Sequence, residues 1–288
     1  MVQEGDLTVT IFHPSAHFIT VSLTGDQCAL KCPHCKGRFL KHMAPVITPQ
    51  GLYNLAEESA KKGVKGMLIS GGCDADGQVP VFEYLDIIKN IKENIDILIN
   101  LHTGFIRPEN IPSLAGIGID MISFDVIGSP EVVKKIYGIN LEPDYYDMAF
   151  DAFRTAGLRV VPHITAGLDR GLDSGEEVAL ETIARHFPEF VVINALMSSE
   201  GDDISAERLL EVLNMAREIL PDDTAIGIGC MRPRGDTIPA ELIAELDIAS
   251  IAMAPKKLVE ELGKLGIEIQ EKDGCCCFYG FDNAQREG

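Results

Sequence analysis

An α/β fold closed as a (β/α)8 barrel of the TIM type is what the sequence predicts, and three observations predict it. Short apolar runs alternate with amphipathic runs from end to end, eight of the apolar runs read as strands, and no low-complexity stretch or long linker divides the 288 residues. Short apolar strands separated by helices imply parallel pairing through right-handed crossovers, and barrels of this kind commonly run to about 250 residues. An incomplete six-strand barrel with an appendage is the alternative. The barrel domain is expected over residues 1–265, and residues 266–288 form a short cysteine-containing C-terminal extension of the same domain.

The first strand is expected over residues 17–23, with a cysteine-bearing loop directly after it. A helix follows over 48–62: Thr48 ahead of Pro49 starts it, Leu52, Leu55 and Ala56 make its apolar stripe, and Gly63 stops it. Residues 64–70 read as the second strand. Phe82, Leu85, Ile88 and Ile91 recur at helical spacing over 81–94, and 95–101 is a mostly apolar strand run. The alternation continues with strands over 121–125, 159–164, 190–196, 225–229 and 248–253. Helices over 145–156, 176–186, 206–220 and 240–246 separate them.

The formal charge of −19 argues against a nucleic-acid surface, which needs clustered Lys and Arg. No apolar run reaches the roughly eighteen residues of a membrane span, and no charged-then-apolar leader opens the chain, so a cytoplasmic protein is expected. Eight cysteines without a secretory signal point to reduced thiols available for metal rather than disulfides.

A parallel barrel puts its chemistry on the loops after its strands. That rule gathers the cysteine loop, Gly71-Gly72-Cys73, His102, Ser123 with Asp125, His163 with Gly167, Asn194, and Cys230 with Arg232 and Arg234. The loop reads Cys28-Ala-Leu-Lys-Cys32-Pro-His-Cys35. A [4Fe–4S] cluster normally takes four cysteines, so a compact set of three leaves one iron open to a small molecule. A structural zinc site is the competing reading and would recruit His34, His42 or Cys73 as its fourth ligand.

The CxxxCxxC spacing, followed by Leu68-Ile-Ser-Gly-Gly72 at a strand end, closely resembles the radical S-adenosylmethionine (SAM) superfamily. The resemblance implies that the free iron chelates the amino and carboxylate groups of SAM and that one electron from the cluster cleaves SAM to a 5′-deoxyadenosyl radical. It implies that Ser70, Gly71 and Gly72 hold the methionine moiety and that His34 lies beside cluster and adenine. From strand-end position alone, Ser123 or Asp125 would reach ribose, while His102 and His163 would border the substrate.

Within that superfamily, Val132-Val-Lys-Lys-Ile-Tyr-Gly138, the run 145–157, Gly167-Leu168 and Cys230-Met-Arg-Pro233 resemble biotin-synthase-type proteins. The chain most resembles the archaeal biotin-synthase-like members, among them subunits of a two-component lipoyl synthase. The resemblance implies sulfur insertion into a protein-bound octanoyl chain, with sulfur drawn from a second iron–sulfur cluster. Its partners would be an electron donor such as ferredoxin or flavodoxin, a second radical SAM subunit and an octanoylated carrier protein.

Cys73, Cys230 and the consecutive Cys275, Cys276 and Cys277 are the candidates for that second cluster. Neighbours in an extended segment point to opposite sides. Two of the trio are therefore expected to face one metal, with the tail folded over the barrel mouth and Cys73 or Cys230, or both, completing the set. Arg232 and Arg234 are further candidates, because biotin synthase uses an arginine ligand. Alternatively the tail cysteines are free, and lone buried cysteines such as Cys73 or Cys230 are small hydrophobes. The chain departs from both familiar patterns: no cysteine precedes Cys28, and only Cys73 and Cys230 sit at strand ends. A radical SAM lyase or mutase of metallocofactor or unusual amino-acid biosynthesis, without sulfur insertion, is the alternative function. A non-catalytic iron–sulfur carrier is a third.

Overall fold

The structure is a computed structural model that describes residues 7–14, 17–198, 204–233 and 238–281. Its strands are β1 (Thr8–His13), β2 (Phe18–Ser22), β3 (Ala44–Pro45), β4 (Gly66–Ser70), β5 (Leu98–His102) and β6 (Met121–Asp125), then β7 (Val160–Ala166), β8 (Phe190–Ala195), β9 (Ala225–Ile228), β10 (Ile248–Ala252) and β11 (Glu268–Asp273). The helices are α1 (Pro49–Lys61), α2 (Leu85–Asn94), α3 (Pro130–Tyr137), α4 (Tyr145–Thr155), α5 (Glu176–Ala184), α6 (Ala206–Ile219), α7 (Ala240–Glu245) and α8 (Lys256–Lys264).

Local sequence accounts for these boundaries. Thr48 caps α1 by accepting from the Gly51 N–H, with Pro49 at the first helical position, and the chain leaves the helix through Gly63 at φ +85°. Ser129 caps α3 in the same way through the Val132 N–H, and Gly138 ends it at φ +74°. The expected helix over 81–94 begins as a 3-10 turn, Val81–Tyr84, and becomes α-helical only at Leu85.

All strand pairs are parallel, in the order β11-β1-β10-β9-β8-β7-β6-β5-β4-β2-β3. The eight predicted strands are β2 and β4 to β10. The expected closed eight-strand barrel is corrected: among the described residues the hydrogen-bond ladder has two free edges, at β3 and β11, and three strands beyond the expected eight. The sheet is nevertheless curled. β1 and β2 stand eight places apart in the ladder, about 38 Å if the sheet were flat. Residues 14–17 are all that join them, and the chain from His13 to Phe18 spans at most about 18 Å. Only a sheet bent round on itself satisfies both.

The curl creates two apolar layers, sorted by the two-residue period of each strand. Ile122, Phe124, Val191 and Ile193 face outward into the main core shared with the helices. Met121, Val161, Phe190 and Val192 face the lumen, where they meet Phe12 and Phe18 from opposite ends of the ladder and Cys276, Cys277 and Phe278 from the tail. Fully burying one such aromatic or aliphatic side chain stabilises by about 1.5–3 kcal/mol. No helix among the described residues is long and apolar enough to cross a membrane.

Candidate active site

The cysteine loop lies against the end of β4. Gly72 donates its N–H to Thr24 Oγ1 at 2.7 Å, and the Ala29 N–H reaches the Cys73 carbonyl at 2.8 Å. A Cβ on Gly72 would overlap the Gln27 carbonyl oxygen and come within 2.7 Å of the Cys28 Cβ, so only glycine lets the loop pass this close. Within the loop the Cys32 carbonyl accepts from the Cys35 and Lys36 N–H groups, and Lys31 and Lys36 take left-handed φ of 50° and 48°. Such conformations cost about 1 kcal/mol each on a non-glycine residue. Arg38 ties the loop across the rim by donating to the carbonyls of Met197 and Ser198 after β8.

These cysteines form no disulfide. Burial, then the neighbouring Cys35 and Cys28, pushes the Cys32 thiol up to about 12. Burial also pushes Cys73 up to about 12, followed by Cys28 and Cys32, which places Cys73 beside this upper clip. Cys73 is not a member of the tail group whose sulfurs lie within 4.8 Å of one another. His34 stands edge-on to Tyr137, with ring centroids 6.0 Å apart, and its Nδ1 is buried with no protein partner. Burial and then Arg38 lower its pKa.

Below the clip a polar column runs down the lumen. Ser70 Oγ lies 3.1 Å from His102 Nδ1, and His102 Nε2 lies 2.8 Å from Asp125 Oδ2. Burial disfavours the charged imidazole of His102, but the Asp125 carboxylate outweighs it and the pKa is raised. Burial likewise pushes Asp125 up, and His102 overrides it to hold the carboxyl below its ordinary range. One layer lower, Asn100 exchanges hydrogen bonds with Ser123 at 2.9 and 3.0 Å, and His163 Nδ1 faces the Val161 carbonyl at 2.9 Å. Burial and then, in the opposite sense, Asp125 act on His163, with a net lowering.

The tail trio sits at the foot of this column. Cys277 Sγ lies 3.4 Å from Ser123 Oγ and 3.4 Å from His163 Nε2, and Asn100 Nδ2 lies 3.6 Å from Cys275 Sγ. All three Sγ atoms lie within 4.8 Å of one another, a grouping no other trio of Cys, His, Asp and Glu makes among the described residues. The expectation that two of them face one point fails because the segment is not extended. Gly274 turns the chain inward at φ +132°, and Cys276–Phe278 wind into a 3-10 turn that gathers consecutive side chains. Cys275 is the acidic member, its pKa lowered by S–H bonds from Cys276 and Cys277, while both donors are raised.

Nor does the tail fold over the mouth of the barrel. Phe278 packs on Phe18 at 5.8 Å, Tyr279 stacks on Phe190 at 4.9 Å and Phe281 lies under Arg159 at 5.3 Å, all at or just before strand starts. The trio therefore enters the lumen from below. A cavity of about 520 Å³ beside Met121, Val161, Phe190, Cys277 and Tyr279 opens on that side.

Cys230 is half-buried and packs against the lumen cluster. Arg232 is corrected as a ligand candidate, since it is buried with its guanidinium on the carbonyls of Gly229, Ala252 and Met253. Arg234 lies outside the described residues. Asn194, in phase with the lumen-facing Phe190 and Val192 on β8, accepts from the Met231 N–H, and Gly167 donates to Glu176, so both hold loops. Sequence reasoning missed Asn100 and Thr24. The signal for Asn100 was its position two residues before His102, on one face of β5.

The donor sets suit metal. The tail trio suits a metal by its convergence, and in the upper site Cys32 and Cys73, forced up by burial and by neighbouring thiols, are groups that a bound cation relieves, with the orphaned His34 nitrogen in the same loop. By structure, the chain is similar to HydG, a maturase of the [FeFe]-hydrogenase, with a TM-score of 0.58 and 19% identity over 92% of this chain and 61% of that one. It is similar to methylornithine synthase (PylB), with 0.57 and 14% over 91% and 83%. It is also similar to anSMEcpe bound to AdoMet and a peptide, with 0.53 and 11% over 84% and 63%. The chain thus spans less than two thirds of the first and third of these, and the likeness is one of fold. No curated protein sequence matches it. The sequence model of the Radical SAM superfamily matches residues 22–182, more than half of the chain, and the chain therefore belongs to the radical SAM superfamily, which uses a [4Fe–4S] cluster and SAM.

Proposed function

We propose that this radical SAM enzyme inserts sulfur into an unactivated C–H of a protein-bound octanoyl chain, as a component of a lipoyl synthase. The observation that carries the reading is the convergence of three tail thiols, two of them buried, in the lumen beneath the cysteine clip, with two sets of polar contacts, Ser70–His102–Asp125 and Asn100–Ser123–Cys277–His163, between them. Cys28, Cys32 and Cys35 would hold the SAM cluster, and Cys275, Cys276 and Cys277 a second iron–sulfur cluster. When bound, the first with SAM would supply hydrogen abstraction from carbon and the second would supply sulfur.

The chain's own residues do the positioning. Ser70, Gly71 and Gly72 would present the strand end to the methionine moiety of SAM, with Thr24 fixing the Gly72 N–H. His34 would border adenine, and Asp125, steadied by His102, or Ser123 would reach ribose. Phe12, Phe18, Phe190 and Phe278 keep the lower lumen dry. The octanoyl substrate, the partner subunit, the carrier protein and a ferredoxin or flavodoxin donor rest on the biotin-synthase-like resemblance.

Packing of Phe278, Tyr279 and Phe281 under the strand starts also suits a purely structural plug. That favours a second reading, a lyase or mutase of metallocofactor or unusual amino-acid biosynthesis, as the names of the hydrogenase maturase and methylornithine synthase indicate for those proteins. Reaction of the reconstituted chain with SAM, reductant and an octanoylated carrier peptide separates the two. Sulfur insertion predicts that Cys276→Ala still forms 5′-deoxyadenosine while the sulfur-bearing product disappears. Product formation undiminished after replacement of all three tail cysteines would overturn it.

A further inference from the structure

His163 stands on β7, a central strand, with its ring buried against the tail trio. Its Nδ1 is 2.9 Å from the Val161 carbonyl. A carbonyl only accepts, so Nδ1 carries the proton, and in the neutral ring Nε2 is then a bare lone pair. That lone pair lies 3.4 Å from Cys277 Sγ. An imidazole that donates one N–H to a backbone carbonyl and turns its other nitrogen on a group of thiols has the orientation of a metal-bound histidine.

The competing donors are otherwise occupied or sit elsewhere. Cys73 stands with Cys28 and Cys32 in the upper site. Cys230 packs against the lumen cluster but is not part of the group whose sulfurs converge within 4.8 Å. Asn100 donates its amide N–H to Cys275 Sγ, and Ser123, its single O–H given to Asn100 Oδ1, faces Cys277 Sγ as an acceptor. The trio is therefore one ligand short of four, with one nitrogen facing it.

We propose that His163 Nε2 is the fourth protein ligand of the metal centre on Cys275, Cys276 and Cys277. The proposal rests on the reading that the trio holds an iron–sulfur cluster. A neutral nitrogen in place of an anionic thiolate raises a cluster's reduction potential, so the lower centre would accept an electron more readily than an all-cysteine one.

The test uses the full chain with Cys28, Cys32 and Cys35 replaced by alanine, so that only the lower centre loads. It is produced with 15N-histidine, reconstituted anaerobically with iron and sulfide, reduced and examined by pulsed EPR. The expected result is a directly coupled histidine nitrogen that vanishes in His163→Cys, with iron retained and the reduction potential lowered. His163→Cys in the otherwise native chain, whose upper cluster still responds to SAM, establishes that the barrel is intact. Iron without nitrogen coupling, or coupling that survives His163→Cys, overturns the ligand assignment alone. Loss of iron in Cys230→Ser would then name the thiolate that replaces it. A chain that retains no iron after loss of the upper cysteines overturns the second cluster, and the ligand with it.

Discussion

Gly72 is where a single missing methyl group decides whether the cysteine loop can seat. Gly72→Ala drives a Cβ into the Gln27 carbonyl and against Cys28, so the loop must lift from β4. Displacement of a reacting group by about 1 Å costs roughly a hundredfold in rate, and SAM cleavage by Gly72→Ala, read as 5′-deoxyadenosine per minute, should fall at least that far. The Asp125–His102 pair makes a prediction with pH. Asp125, held below its ordinary range by His102, contributes stability above about pH 4 that is lost as pH falls through its lowered value. His102, raised by Asp125, contributes stability below about pH 6.5 that is lost as pH rises through its raised value. The gap in urea midpoint between the native chain and Asp125→Asn should be widest between those limits and close on both sides; a gap independent of pH would refute the coupling. The three loop cysteines and the glycine pair were legible because spacing carries them. Asn100 was not, because a polar residue in an apolar run acquires meaning only once the phase of its strand is known. The convergence of Cys275, Cys276 and Cys277 was hidden by the alternation rule, which the turn after Gly274 suspends.

Strands and helices were read with unequal success, and for physical reasons. The eight strands with apolar runs announce themselves, whereas β11 is a charged, exposed edge strand paired, among the described residues, with β1 alone. Edges are kept polar to discourage pairing with other chains, and that same polarity erases the strand signal. β3 is two residues long, and α3 only eight, although Ser129-Pro130 and Gly138 mark its ends. Caps can be tested directly: Thr48→Ala removes the bond to the Gly51 N–H and should cost about 1 kcal/mol in thermal or urea unfolding. The 3-10 turn that carries the trio depends on Phe278, packed between Phe18 and Phe281. Phe278→Ala should cost about 3 kcal/mol and release iron from the lower centre before the upper one, followed by the loss of each cluster's absorption on warming.

At the scale of the molecule, one curled sheet gives the chemistry two entrances. The cysteine clip closes the lumen from the strand-end side, and the tail closes it from the strand-start side, so the polar column from Ser70 to Cys277 lies between two thiol groups. Parallel layering was written in the alternation of apolar and amphipathic runs; that the ladder stays open, with the tail threaded beneath it, depends on long-range contacts such as Phe18 with Phe278 that no local pattern encodes. The central claim is that this lumen holds two iron–sulfur centres, the lower one carried by the tail. Iron and sulfide per chain, with Mössbauer spectra, should be measured after anaerobic reconstitution of the native chain and of a variant with Cys275, Cys276 and Cys277 replaced by alanine. Two [4Fe–4S] clusters predict about eight irons falling to about four, with the remaining four still perturbed by SAM; about four irons in both proteins would contradict the second centre.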